Sequence, residues 1–237
     1  LKNLYIILLL TFGFGQDPDL VAHYPFNGDA TDESGNGDDG DVNGATLTTD
    51  RFGNENSAYS FDGVDDYISI ADNNSLDFDI SQDFSLYAWI KLNTTDNTND
   101  IIAKQDGTGA MDPGYRFGIV SEGNQYLHLQ DNNSGTNYFG NSSLDVGAWT
   151  QVALVVDRES SNATLYLNGQ NNGTVYYNET GSQGNSNILS IGTHYANSEG
   201  GESWFNGKID DVRIYNRILD ESVIQELFCE GGWCNSQ

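Results

Sequence analysis

The sequence predicts an all-β protein, an antiparallel β-sandwich with one short helix near the C-terminus, and three observations carry that prediction. Short runs rich in β-branched and aromatic residues recur along the chain, separated by Gly, Asn, Asp and Ser, which is the spacing of strands and turns in a sandwich or barrel. Several of these runs alternate with period two, the repeat of side chains on a pleated strand. Only one stretch, Asp220 to Phe228, has apolar residues at helical spacing.

The elements follow in chain order. Leu1 to Gln16 combines a positive charge at Lys2, an apolar run from Leu4 to Leu10 and the stretch Thr11-Phe-Gly-Phe-Gly15. That run is too short for a bilayer, which needs about 20 residues, so it reads as a secretory signal with cleavage expected near Gly15 or Gln16. Residues 17–228 then read as one domain, because no Pro-rich or Gly/Ser linker divides them and Pro18, Pro25 and Pro113 are scattered. Strands are expected at Leu20 to Phe26, Ala58 to Phe61, Tyr67 to Ile70, Phe84 to Leu92, Ile101 to Lys104, Tyr115 to Val120 and Tyr126 to Gln130. Further strands are expected at Trp149 to Asp157, Ala163 to Leu167, Ile188 to Ile191 and Lys208 to Tyr215.

In the Phe84 run, Phe84, Leu86, Ala88 and Ile90 share one face while Tyr87 and Trp89 point to the other. Apolar side chains on both faces place this strand mid-sheet with cover on each side, and make Trp89 and Trp149 core residues. The polar, Asn- and Gly-rich stretches Gln170 to Thr174 and Thr180 to Asn187 read as loops. Seven Asn-x-Ser/Thr triplets, Asn93-Thr-Thr among them, mark surface segments. For the helix, Asp220 or Ser222 caps the start, and Val223, Ile224, Leu227 and Phe228 form the face that packs on the sandwich. The tail, 229–237, holds both cysteines in Cys229-Glu-Gly-Gly-Trp-Cys234. In an exported chain such a pair is expected to form a disulfide, whereas a thiolate metal site needs further Cys or His ligands that the neighbourhood lacks.

Charge narrows the partners. With 35 acidic against 9 basic residues, the net charge of -26 repels phosphate backbones and anionic head groups. Nucleic acid and membrane insertion are therefore not expected.

Two segments echo one another. Phe205 to Asn216 and Ser57 to Ile70 each place a glycine and then two adjacent aspartates just ahead of a strand-like run. Together with Leu20 to Gly28, Asp32-Glu-Ser-Gly-Asn-Gly37 and Phe61-Asp-Gly-Val-Asp-Asp66, these segments resemble the laminin G-like jelly-roll domain of the concanavalin A-like lectin/glucanase superfamily. The resemblance implies a jelly roll whose first and last strands are neighbours. It also implies a structural calcium joining an early loop to the final strand, with Asp210 the most direct ligand, Asp211 next, and Asn27, Asp29, Asn43 and Gly44 supplying further oxygens, as a hard cation requires. The competing reading is that Asp32, Ser34, Asp62 and Asp66 only accept turn amides.

For a ligand, the resemblance implies a carbohydrate or glycoprotein partner held at one rim or on the concave sheet. Exposed aromatics stack on sugar faces while polar side chains pair hydroxyls, which selects Trp204, His194, Tyr195, Tyr115 and Tyr138, with Asp106 from the acidic rim loops. Trp204 has the alternative of folding back beside Phe205, and His23 and His128 read as structural. The glucanases of the superfamily place catalytic carboxylates as Glu-x-Asp-x-x-Glu, about 5 Å apart in retaining enzymes, and no glutamate here begins that pattern. The expectation is a secreted or cell-surface, calcium-stabilised, non-catalytic carbohydrate-binding module. The runner-up is an adhesive module with a protein partner, ahead of a hydrolase or lyase with an unfamiliar site.

Overall fold

A computed structural model describes residues 17–96, 98–105, 113–120, 124–130, 135–177, 182–194 and 203–235. The expected signal segment lies outside them. In chain order the strands are β1 (Leu20–Tyr24), β2 (Gly40–Asn43), β3 (Thr46–Thr48), β4 (Ala58–Asp62) and β5 (Tyr67–Ile70). Then come β6 (Phe84–Leu92), β7 (Asn99–Lys104), β8 (Gly114–Ile119), β9 (Asn124–Gln130) and β10 (Gly135–Ser143). The last are β11 (Trp149–Asp157), β12 (Asn162–Leu167), β13 (Gln170–Tyr176), β14 (Leu189–Ile191) and β15 (Asn206–Tyr215), followed by the helix α1 (Glu221–Phe228).

These strands form two antiparallel sheets stacked as a jelly-roll sandwich. One sheet runs β13-β12-β11-β6-β15-β4-β3 with β1 added on β15, and the other runs β10-β9-β8-β7-β14-β5-β2. The first and last strands are indeed neighbours, His23 opposite Arg213 and Tyr24 opposite Val212.

The alternation along β6 dictates the layers. Phe84, Leu86, Ala88, Ile90 and Leu92 enter the core between the sheets, together with Ile68, Ile70, Phe117 and Ile191 from the opposite sheet. Tyr87 and Trp89 point outward into a second cluster completed by Ile224 and Leu219, with Leu227, Phe228 and Trp233 packed against it. Truncating a β6 core residue, as in Leu86→Ala, costs about 2–5 kcal/mol on the usual scale for a buried leucine.

The expected cap at Asp220 forms no side-chain hydrogen bond. The helix is instead held by its packing and by the Tyr87 hydroxyl, which donates to the Leu227 carbonyl at 3.1 Å, satisfying one of the open carbonyls of the last turn. Cys229 and Cys234 are bonded to one another, their Cα atoms 4.8 Å apart. The staple brings Trp233 to within 5.0 Å of the Trp89 ring.

Sequence patterning misses β2, β3, β10 and β13. Gln170 to Thr174, expected as a loop, belongs to β13 and pairs with β12 from Gln170 opposite Leu167 to Tyr176 opposite Asn162. An edge strand needs only a backbone ladder on one side, so its outward residues can be Asn and Gln without a hydrophobic period.

Candidate functional site

The site begins with a backbone irregularity. Strand β15 pairs with β4 through Ile209 and with β1 from Val212 onward, while β6 flanks it throughout. Where the partner changes, the register against β6 slips between Asp210 and Arg213, and Asp211 takes a left-handed φ of 50°. This is the geometry of a β-bulge, which inserts one residue and resets the alternation. Ile209, Val212 and Ile214 therefore all reach the core. Asp210 and Asp211 both turn to the outer face, where strict alternation would have driven one carboxylate into the hydrophobic layer.

Both carboxylates are buried, and Arg51 joins them: its Nη1 donates to Asp210 Oδ2 at 2.6 Å and its Nη2 to Asp211 Oδ2 at 3.1 Å. Arg213 adds Nε to Asp211 Oδ1 at 2.7 Å and Nη2 to Asp211 Oδ2 at 3.1 Å, and reaches Glu230 Oε2 at 2.5 Å. His23 Nε2 lies 3.1 Å from Asp211 Oδ1. An ionised carboxylate only accepts, so Nε2 is the protonated nitrogen.

The two aspartates diverge electrostatically. Burial works against the charge of Asp211, yet His23, Arg213 and Arg51 together hold it far below the usual carboxylate range. Burial pushes Asp210 up to about 7, assisted by the neighbouring Asp211 charge and opposed by Arg51. Arg213 is held well above its ordinary value by Asp211 and Glu230 despite its burial.

The 50–54 turn delivers Arg51. Asp50 Oδ1 accepts the amides of Phe52 and Asn54, each at 2.8 Å, an Asx arrangement that fixes the loop. The guanidinium is sandwiched between Phe52 and Trp89, its carbon 4.7 Å and 4.8 Å from the two ring centres. Such stacking suits a planar, weakly hydrated cation better than an ammonium. The C-terminal staple closes the arrangement, with Trp233 5.9 Å from Phe52 edge to face. Gly231 sits so close that a Cβ there would fall 2.6 Å from the Phe52 ring.

Above this network opens a cleft of about 340 Å³, lined by His23, Pro25, Asn27, Glu33, Asp50, Arg51, Phe52, Asn54, Asp210, Asp211, Arg213, Glu230 and Gly231. Phe52 is 43% exposed within it. Arg51 Nε is buried without a hydrogen-bond partner.

The residues expected to share a cation do not converge. Only Asn27, Asp210 and Asp211 border the cleft. Asp29 is exposed and accepts the Thr31 amide at 3.0 Å, and Asn43 donates to the Asp41 carbonyl and Ser69 Oγ. Gly44 lies against Asp66, whose Oδ1 a Cβ would meet at 2.1 Å. Guanidinium groups occupy the positions around Asp210 and Asp211 where a cation would sit. This set therefore does not fit calcium, and an arginine ties the 50–54 turn to the two aspartates of β15.

The turn reading holds for the other acids. Asp32 accepts amides from His23, Ser34, Gly37 and Asp38. Asp66 accepts from Asp62, and Asp62 from Val64. Asp62, Asp65 and Asp66 place ligand atoms within 4.8 Å of one another. Asp62 and Asp66 serve these turn amides, Asp62 also accepting the Asp65 amide at 3.4 Å, and no ion is assigned to the three.

The expected ligand aromatics scatter as well. Tyr115 is fully buried and its hydroxyl donates to the Leu76 carbonyl at 3.0 Å, so it is a core residue and no surface platform. His194 is buried against Asp100, which also accepts from Arg116 at 3.0 Å. Trp204 is half-buried and lies 6.0 Å from Tyr67, centre to centre, a partner that patterning had not given it. Tyr195 and Asp106 lie outside the described residues, and Tyr138 is described for its backbone alone. Sequence reasoning missed Arg51, Phe52 and Asn54. The available signal was an arginine and an aromatic within Asp50-Arg-Phe-Gly-Asn54, in a chain with only nine basic residues.

Comparison with known proteins places the chain. Among solved structures, the binding domain of Paraclostridial Mosquitocidal Protein 1 superposes with a TM-score of 0.69 at 21% identity, over 89% of this chain and 52% of that one. Domain 4 of AbnA, a GH43 extracellular arabinanase from Geobacillus stearothermophilus solved in complex with arabinotriose, gives 0.65 at 22% identity, over 88% and 98% of the two chains. The Botulinum neurotoxin serotype G binding domain gives 0.70 at 17% identity, over 92% and 51%. The chain thus spans about half of each toxin binding domain and nearly all of the arabinanase domain, and at these identities the likeness shows the fold. A search of curated protein sequences returns no match. The laminin G-type family model, described as the concanavalin A-like lectin/glucanases superfamily, matches residues 62–225. With more than half of its length matched, and with the sandwich that the model implies, the chain belongs to the concanavalin A-like lectin/glucanases superfamily.

Proposed function

We propose that this chain is a non-catalytic carbohydrate-binding module of an exported protein, and that it takes its glycan in the cleft between β1, the 50–54 turn and the bulge of β15. The observation that carries this reading is the composition of the cleft. A partly exposed phenyl ring, Phe52, stands beside Asn27, Asn54 and His23 over a floor of ion-paired arginines and aspartates. A sugar presents an apolar ring face and a rim of hydroxyls, and is met by one aromatic face with a few planar polar groups of fixed geometry. Because the floor is already locked by its own hydrogen bonds, little side-chain freedom is lost on binding. The volume of about 340 Å³ lies at the lower end of the range for small-ligand sites.

Three further points support the reading. The arabinanase domain, solved with arabinotriose, shares the fold over nearly its whole length. The apolar Leu4 to Leu10 run and the Cys229–Cys234 disulfide favour export. The glucanase carboxylate pattern is missing from the sequence, and both carboxylates of the cleft floor are bonded to arginines, which favours recognition over chemistry.

The test is an oligosaccharide array followed by isothermal titration of the hits, with and without EDTA. Phe52→Ala should weaken binding about tenfold or more, the scale of one aromatic contact. Trp204→Ala should leave it unchanged. Chelation should also leave binding in the cleft unchanged, since arginine holds the aspartates. If no oligosaccharide binds, or if Trp204→Ala abolishes binding while Phe52→Ala does not, the cleft is not the sugar site.

A further inference from the structure

We infer that the cleft selects sugars carrying a free amine, the chemistry of an unacetylated hexosamine unit, over neutral or anionic glycans. The inference rests on the glycan reading above and adds the ligand's charge.

Charge is the first argument. The lining gathers carboxylates from Glu33, Asp50, Asp210, Asp211 and Glu230 against the cations of Arg51 and Arg213, with His23 beside them. Both guanidinium groups are engaged, Arg51 by Asp210 and Asp211 and Arg213 by Asp211 and Glu230. An entering carboxylate or sulfate meets no arginine that lacks a carboxylate partner, and it approaches a chain of net charge -26. An ammonium is attracted by the same field.

The second argument is the wall. Phe52 is 43% exposed, and an aromatic face attracts a cation laid upon it. Gly231 packs on that ring, which places exposed Glu230 at the same edge of the cleft. An amine on a sugar lying against Phe52 therefore has both a π face and a carboxylate within its surroundings.

The third argument separates an amino sugar from a simple amine. Asn27 and Asn54, both exposed, line the same cleft. A side-chain amide both donates to and accepts from a hydroxyl, a group that a simple amine lacks. A ligand that supplies hydroxyl oxygens and one cationic group meets both demands.

The experiment is isothermal titration of the disulfide-bonded chain at about 0.15 M salt, where exposed charges beyond roughly 8 Å are screened. The probes are a glucosamine tetramer, its fully N-acetylated counterpart, a uronate tetramer and tetralysine. The glucosamine tetramer should bind about tenfold or more tighter than the acetylated one, and the uronate should not bind. Glu230→Gln should shrink that preference to about threefold or less. Phe52→Leu, which keeps the apolar bulk and removes the π face, should shrink it as well. Equal affinity for the amine and acetyl forms, tighter uronate binding, or a preference unchanged in Glu230→Gln overturns the inference and leaves the glycan reading standing. Tetralysine binding as tightly as the glucosamine tetramer also overturns it, showing attraction by charge alone. Failure of every saccharide overturns both.

Discussion

Two buried cations hold pairs of aspartates in this sandwich, and they are built to different ends. Lys104, on β7, is fully buried, and its Nζ donates to Asp72 and Asp77 at 2.8 Å each and to the Asn185 carbonyl at 2.9 Å. An ammonium has three protons, and here each finds an oxygen from a different segment. Arg51, in the turn between two strands of the opposite sheet, also spans two aspartates, but it leaves Nε without a partner, rests between two aromatic rings, and borders a cleft. The lysine site is a closed clasp with every donor satisfied. The arginine site is open on one side and electrostatically uneven, one aspartate pushed up and its neighbour pulled down. A clasp closed on every side marks the structural site, and charged groups that border a cleft mark the site available to a ligand.

The contrast breaks first at Lys104. Lys104→Met keeps most of the volume but leaves Asp72 and Asp77 without their cation, so unfolding should become easier by about 3–5 kcal/mol, the range for removing one partner of a buried pair. Partial exposure of Asp72 and Asp77, whose side chains are 36% and 23% accessible, places the expected value at the lower end. Urea unfolding measures the change, and oligosaccharide affinity should be untouched. A loss below about 1 kcal/mol would mean that the clasp is dispensable, and the comparison would fail on its structural side.

Arg51→Met should show the reverse balance. Asp211 retains Arg213 and His23, and Asp210 can take up a proton, so the stability loss should be smaller, about 2 kcal/mol. Binding at the cleft should fall at least tenfold, because the floor that orients Phe52 is gone. Equal stability losses at Lys104 and Arg51, with binding intact in both, would erase the distinction.

The disulfide sharpens it further. The loop between Cys229 and Cys234 is short, so a Cys229→Ser, Cys234→Ser double variant should lose about 2 kcal/mol by the loop-entropy relation. It should also free Trp233 from Trp89 and Phe52 and raise the accessibility of the cleft wall. Thermal unfolding and tryptophan fluorescence read the two effects separately. A Lys104→Met protein should keep the fluorescence of the intact staple.

How far the sequence foretold this arrangement follows from what each part depends on. The β6 strand was legible because apolar residues on both faces have one explanation, a central strand with cover on each side, and Trp89 beneath α1 and the staple answers it. The disulfide was legible from spacing. The amide-accepting turns at Asp32 and Asp62 were legible because Asx chemistry is local. The bulge at Asp210 and Asp211 was not, since it exists only where β15 changes partners from β4 to β1, a property of the assembled sheet. The same holds for Arg51, which is separated from the aspartates by 159 and 160 positions and gives no local pattern linking them. Tyr115 went the other way: a tyrosine at the start of a strand looks available in sequence, and only the stacking of Phe78 and Phe84 against it reveals the core.

The pH dependence is the most diagnostic effect, because it follows from the unevenness of the two aspartates. Asp210 titrates at about 7 in the folded protein against 3.8 when unperturbed. Between those values the folded state binds the proton more tightly than the unfolded one, so stability should fall as pH rises from about 4 to 7 and level off above. One titrating group sets a ceiling of about 1.4 kcal/mol per pH unit on that slope. Asp211, held low, contributes oppositely: its stabilisation is present above the unperturbed value and is lost only as pH falls below about 4. Asp210→Asn should remove most of the decline between pH 4 and 7, leaving the part due to Asp66, which burial also raises, and should keep the acid limb in place. The groups facing Asp210 are Arg51, Asp211 and Asp50, and a decline that survives in Asp210→Asn would belong to another part of the molecule. Denaturant midpoints collected across that pH range for wild type, Asp210→Asn and Lys104→Met distinguish the open site from the closed one. The first substitution should flatten the profile, and the last should lower it while keeping the decline that Asp210 causes.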